Sequence, residues 1–133
     1  MAGIVEIDEL LKAMSPEIKR GEYVFCTVDG SYSDYAHLNP LACFVESEGL
    51  TLIVSVESAE KGQLAYESKF KQITLTVHSS LEAVGLTAAV ATKLAFYGIS
   101  ANVVAAYYHD HIFVQTEKAG EALMALKEFG AAG

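Results

Sequence analysis

Residues 79–114 read SSLEAVGLTAAVATKLAFYGISANVVAAYYHDHIFV, and the fold turns on this stretch. Leu86, Val90, Leu94 and Tyr97 recur at helical spacing, which predicts a helix over Leu86–Tyr97 with one apolar face. Gly98 follows where a left-handed C-terminal cap belongs. Ile99–Tyr107 is almost continuously apolar, the pattern of a strand covered on both faces. His109-Asp110-His111 then turns the chain, and Ile112–Gln115 returns as a strand. Upstream, Phe70–Val77 sets Ile73, Leu75 and Val77 against Thr74 and Thr76, a clear strand alternation. Downstream, Ala122, Leu123, Leu126 and Phe129 predict a helix over Ala119–Phe129. The order from Phe70 onward is therefore β-α-β-β-α.

The same reading carries into the first half. Ile7, Leu10, Leu11 and Met14 form a helical stripe that Ser15-Pro16 stops. Glu22–Val28 is rich in β-branched and aromatic residues and reads as a strand. Asp29–Asn39 is a long loop holding Tyr32 and Tyr35, which could cover a pocket or simply pack on the sheet. Leu41–Glu46 and Leu50–Val56, joined through Gly49, predict a hairpin, and Ala59–Tyr66 a short helix weakened by Gly62. Both halves are thus incomplete versions of the split βαββαβ pattern, although no sequence repeat links them. The first lacks its first helix and the second its last strand. The expected class is α+β, ferredoxin-like, with antiparallel sheets and helices on one face. The expected domains are 1–68 and 69–133. A missing strand leaves an unpaired sheet edge, so strand sharing between halves or a homodimer is expected.

Composition narrows the function. Hydrophobic residues make up 52% of the 133, enough to build a core, and no run of apolar residues is long enough for a membrane span. The net charge of −8 provides no basic footprint for nucleic acid and repels anionic lipid. Small zwitterions and neutral ligands remain open. The N-terminus does not read as a secretory signal. Cys26 and Cys43 sit in strand-like stretches and read as reduced core residues, which points to the cytoplasm.

The quoted stretch is similar to the tandem ACT domains of the amino-acid-sensing type. The matching positions are Gly85-Leu86 at a helix start, Gly98-Ile99 at its end, Asp110 in a tight turn and Val114 closing a short strand. Tyr23-Val24-Phe25-Cys26 and Glu48-Gly49-Leu50-Thr51-Leu52 extend the likeness to the first half, which resembles small bacterial ACT proteins. The resemblance implies a ferredoxin-like fold and an amino acid, or a similar small molecule, bound at an interface between domains. Most ACT domains are fused to an enzyme or a transcription factor, and no such partner is attached in this sequence.

The candidate ligand-binding residues are Ser79, Ser80, Val84, Gly85, Leu86, Tyr108 and Asp110. A helix start offers unpaired backbone N–H groups to a carboxylate, and Gly85 lets a ligand approach the backbone. Ser79 and Ser80 add hydroxyls. These residues could equally cap the turn and permit helix packing. Asp110 could hold an ammonium or guanidinium group, and Asp is also an ordinary turn residue. His109 and His111, with His78 or Asp110, raise the question of a metal, but no third ligand stands at a diagnostic spacing. Neither G-x-S-x-G nor H-E-x-x-H occurs. Glu46 and Glu48 read as exposed acids beside a turn, and His37 as a solvated loop residue. The reading is a non-catalytic regulatory chain that takes a small molecule, needs no cofactor or metal, and forms homo-oligomers. Two alternatives stay open: an oligomerising structural protein, and a metal-dependent enzyme using His109, Asp110 and His111.

Overall fold

The computed structural model describes residues 9, 11–76 and 85–131. The chain forms two compact units. The N-proximal unit is Gly21–Phe70, and the C-proximal unit joins the residues up to Arg20 to those from Lys71 onward. The residues before Gly21 group with the second unit rather than the first.

The N-proximal unit is built on strands β2 (Tyr23–Val28), β3 (Ala42–Glu46) and β4 (Gly49–Ser55), in the order β3-β4-β2 with both pairings antiparallel. The predicted hairpin forms β3 and β4, with Ser47-Glu48 as its turn. The loop expected over Asp29–Asn39 is not irregular. It carries a short helix, α1 (Tyr32–Tyr35), and a 3-10 turn at Ala36–Leu38, so the first helix of the pattern is shortened and not missing. Leu38 is buried and anchors this segment. The next helix, α2, spans Val56–Lys61, earlier than the predicted Ala59–Tyr66. The Ser55 hydroxyl accepts the Ser58 N–H at 3.1 Å and sets the start, and the helix ends at Gly62. Val24, Cys26, Leu50, Leu52, Val54 and Ala59 form the core, with Tyr35 packed against it. Cys43, in contrast, is exposed, so the core reading holds for Cys26 alone.

The C-proximal unit contains β5 (Phe70–Leu75), α3 (Leu86–Phe96), β6 (Asn102–Ala105), β7 (Asp110–Gln115) and α4 (Ala119–Ala131). Its remaining strand is β1 (Pro16–Ile18), which the sequence pattern did not predict. β1 runs antiparallel to β5, with Pro16 opposite Leu75 and Ile18 opposite Ile73. The strand order is β1-β5-β7-β6. The edge that lacked a strand is thus filled from an earlier part of the same chain, which is the expected strand sharing. The helical stripe before Pro16 is helical at positions 9 and 11–13, and Met14 is buried; Ile7 and Leu10 lie outside the described residues. α4 packs on β1 and α3. Ile73, Leu75, Ile112 and Val114 point from the sheet into a core with Val90, Leu94, Ala122 and Leu126.

Two strand limits differ from the sequence reading. β6 covers only Asn102–Ala105, and its end residues are exposed. It terminates the strand order, so its apolar residues do not imply burial on both faces. The turn falls at Tyr107-Tyr108, closed by the Ala106 N–H donating to the His109 carbonyl at 3.1 Å, and Asp110 and His111 begin the next strand.

Candidate functional site

The C-proximal unit brings a helix start and a hairpin together. Gly85 precedes α3 with φ 100° and ψ −21°, in the left-handed region that a side chain disfavours. From there α3 runs for 11 residues, with no acidic residue in its first turn. The first amides of such a helix have no intrahelical acceptor and carry the positive end of its dipole. Leu86 is buried, so it offers a ligand its backbone and not its side chain. One residue on, the Thr87 hydroxyl donates to Asp110 Oδ2 at 3.5 Å. Asp110 is held by β-pairing with Ala105 across the hairpin. Beyond it, the rings of Tyr107 and Tyr108 meet edge to face at 5.0 Å, and both side chains are exposed. Of the expected site residues, Gly85, Leu86 and Asp110 therefore converge, and Tyr108 stands at the tip of the same hairpin. Ser79, Ser80 and Val84 lie outside the described residues, as does His78.

A polar cluster lies directly behind Asp110. His111 Nδ1 stands 3.1 Å from Gln72 Nε2 and 3.0 Å from Thr74 Oγ1. Gln72 and Thr74 are both buried. Burial lowers the His111 pKa; neighbouring positive charge from His109 and Lys19 adds to this, and Asp110 opposes it. His109 Nδ1 is buried with no hydrogen-bond partner among the described residues. On β1, Glu17 bonds Lys19 at 2.6 Å, which holds its carboxyl below the usual range, with a smaller contribution from His109. Sequence reasoning missed Gln72, Thr74 and Thr87. The signal for the first two was present, since they alternate with Ile73 and Leu75 on the clearest strand and so face away from the core. Among the described residues, no group of three or more His, Cys, Asp or Glu side chains stands close enough to hold a metal ion.

The N-proximal unit has the corresponding junction. A cleft of about 430 Å³ lies between Asp29–Tyr32 and the hairpin turn at Val45–Leu50. Here the helix start is already occupied: Asp34 Oδ2 accepts the Ser31 N–H at 3.0 Å, and the Tyr35 hydroxyl donates to the Asp29 carbonyl at 2.7 Å. Tyr35 thus ties the loop down and packs on the core, while Tyr32 is 48% exposed beside the cleft. A second cleft of about 410 Å³ is lined by Phe25, Tyr66, Glu67 and Phe70, among others.

Two ferredoxin-like units, each with a helix start facing a hairpin, define a tandem small-domain protein of the α+β class. The chain belongs to the ACT-domain family: ACT-domain patterns match residues 2–71 and 67–128. Membership supports a ligand-binding regulatory role. A Vibrio cholerae protein of unknown function, described as a possible transport protein, is 60% identical, with a TM-score of 0.90 over 97% of this chain and 99% of that one. An Agrobacterium tumefaciens protein is 14% identical, with a TM-score of 0.74 over 88% and 89% of the two chains. The regulatory subunit of aspartate kinase from Thermus thermophilus, in its ligand-free form, shares the fold at 8% identity and a TM-score of 0.65, over 89% and 97%. No curated protein matches the chain. No helix among the described residues is long and apolar enough to cross a membrane.

Proposed function

We propose that the chain is a cytoplasmic, non-catalytic regulatory module that binds an amino acid at the start of α3 and works as a homo-oligomer. The contact between Thr87 and Asp110 carries the reading, because it sets the amides after Gly85 beside a carboxylate. That pairing complements a zwitterion. The ligand carboxylate faces the helix amides and its ammonium faces Asp110. Ser79, Ser80 and Val84, which precede Gly85 in the chain, and Tyr108 complete the proposed contact set. The resemblance to ACT domains of the amino-acid-sensing type supports an amino acid as the ligand class.

The test is a thermal-unfolding screen of the twenty amino acids. One of them is expected to stabilise the protein, by about 2.7 kcal/mol at roughly 100 times its dissociation constant. Asp110→Asn is expected to weaken that ligand by about tenfold or more, consistent with losing a charge-assisted hydrogen bond. A flat response to all twenty, or a response that Asp110→Asn leaves unchanged, overturns the reading.

A further inference from the structure

One cleft of the N-proximal unit involves no helix start. It holds about 410 Å³ between β2 and residues 65–68. Alternation along β2 sends Val24 and Cys26 into the core, so Phe25 and Thr27 lie on the opposite face. Phe70 pairs antiparallel with Tyr23, which makes Phe25 its diagonal neighbour, within reach of an aromatic ring. The Phe25 and Phe70 rings meet edge to face, 5.1 Å between centroids and 71° between planes. Tyr66 adds a third ring to the lining. Its hydroxyl donates to Glu60 Oε2 at 3.3 Å, and its side chain packs against the core. All three rings are thus held by contacts within the unit, so ordering them costs a ligand little.

The polar groups of the cleft are few and of one sign. Glu67 is the one charged side chain that lines it, and Glu67 is exposed. No Lys, Arg or His lines the cleft, while Thr27 and Ser68 bring hydroxyls. A ligand carboxylate would meet Glu67 without a counter-charge among these residues, so an amino acid is poorly matched here. A neutral apolar ligand leaves the carboxylate unused. A primary ammonium is strongly hydrated, and one exposed carboxylate does not replace its water. A methylated ammonium group donates no hydrogen bond, and aromatic rings with a carboxylate suit it, because the negative faces of the rings attract a weakly hydrated cation.

We infer that this cleft binds a small organic cation through a methylated ammonium group, packed against Phe25, Tyr66 and Phe70 with Glu67 as the counter-charge. The site is separate from the start of α3, takes a ligand of different charge, and does not depend on the amino-acid reading.

NMR titration of the full chain with choline tests it. Choline is compared with its neutral isostere dimethylbutanol, which has carbon in place of the ammonium nitrogen, and with ethanolamine, which lacks the methyl groups. Choline is expected to shift the amides of Phe25, Thr27 and residues 65–68 saturably. Both comparison compounds are expected to bind at least about fivefold more weakly. Glu67→Gln is expected to weaken choline by about threefold, in keeping with an exposed charge pair, and to leave dimethylbutanol unchanged. Phe25→Leu keeps apolar bulk and removes the ring, so it is expected to weaken choline more than dimethylbutanol, with circular dichroism confirming the fold. No saturable shift with choline, or shifts confined to other residues, overturns the site. Equal binding of dimethylbutanol overturns the cation, and equal binding of ethanolamine overturns the methylated group. The amino-acid screen is unaffected by any of these outcomes.

Discussion

The two units solve the same junction in opposite ways. Each places a glycine in the left-handed region, Gly30 at φ 106° and Gly85 at φ 100°, just before a helix that faces a hairpin. At Gly30 the helix is 4 residues long and its own Asp34 turns back onto the Ser31 amide. At Gly85 the helix is 11 residues long, its first turn has no acid, and the nearby carboxylate, Asp110, comes from the opposite hairpin. A helix start satisfied by its own side chain has little to offer a ligand carboxylate. One that meets a carboxylate from elsewhere presents amides and a counter-charge side by side. The proposed ligand is therefore expected at the C-proximal junction and not at the N-proximal one.

The largest effect that would sharpen this comparison concerns the two cores. Leu94 and Leu52 are fully buried, one in each unit. Leu94→Ala and Leu52→Ala are each expected to destabilise the protein by about 3 kcal/mol in urea unfolding. Only Leu94→Ala should also disturb the mount of α3. Near-native ligand affinity in folded Leu94→Ala, with loss in folded Leu52→Ala, would reverse the assignment.

A smaller effect separates the glycines. Valine at either position must adopt a backbone conformation that it resists, at about 1–3 kcal/mol. At position 30 an added Cβ also meets Asp34 Oδ2 at 2.6 Å. Gly30→Val is therefore expected to be at least as destabilising as Gly85→Val, by chemical denaturation. Ligand response, followed by calorimetry, is expected to disappear in Gly85→Val and persist in Gly30→Val. The opposite pattern would move the site to the N-proximal unit.

The smallest effect belongs to His111. Its pKa in the folded protein lies below the ordinary histidine value, so the unfolded chain binds more protons. Stability from this group is complete above the ordinary value near 6.5 and falls as pH drops through it toward the lower folded value. Glu17 and Glu128, whose carboxyls are held low, lose their contribution only in the more acidic carboxylate range. Melting temperature is thus expected to decline from about pH 7 to 5, and less so in His111→Asn. Equal slopes in the two proteins would show that the cluster behind Asp110 does not report on protonation.

Much of the fold was legible because its signals are local. Alternation fixed β5, helical spacing with Gly98 fixed α3, and a glycine-bearing connection fixed the β3–β4 hairpin. Gly85 and Asp110 of the candidate site were legible in the same way, since they are marked by their own chemistry. The turn at Tyr107-Tyr108 was misplaced onto His109–His111 because Asp and His resemble turn residues locally, whereas pairing with Val104 and Ala105 draws Asp110 and His111 into the strand. α2 was misplaced because hydrophobic spacing outweighed the capping serine at position 55.

By itself, the amino-acid sequence determined two α+β halves, the β3–β4 hairpin, helices α3 and α4, an acidic chain without a basic footprint, and a glycine-led helix start. These follow from backbone preferences and apolar spacing within a few residues of each other. Tertiary structure alone decided that β1 completes the C-proximal sheet. Three residues carry no period, and their hydrogen-bonding partner on β5 lies far along the chain. It alone decided that Thr87 meets Asp110 and that Gln72 and Thr74 hold His111, because such contacts depend on which strands lie side by side, and strand neighbours are chosen by long-range backbone pairing.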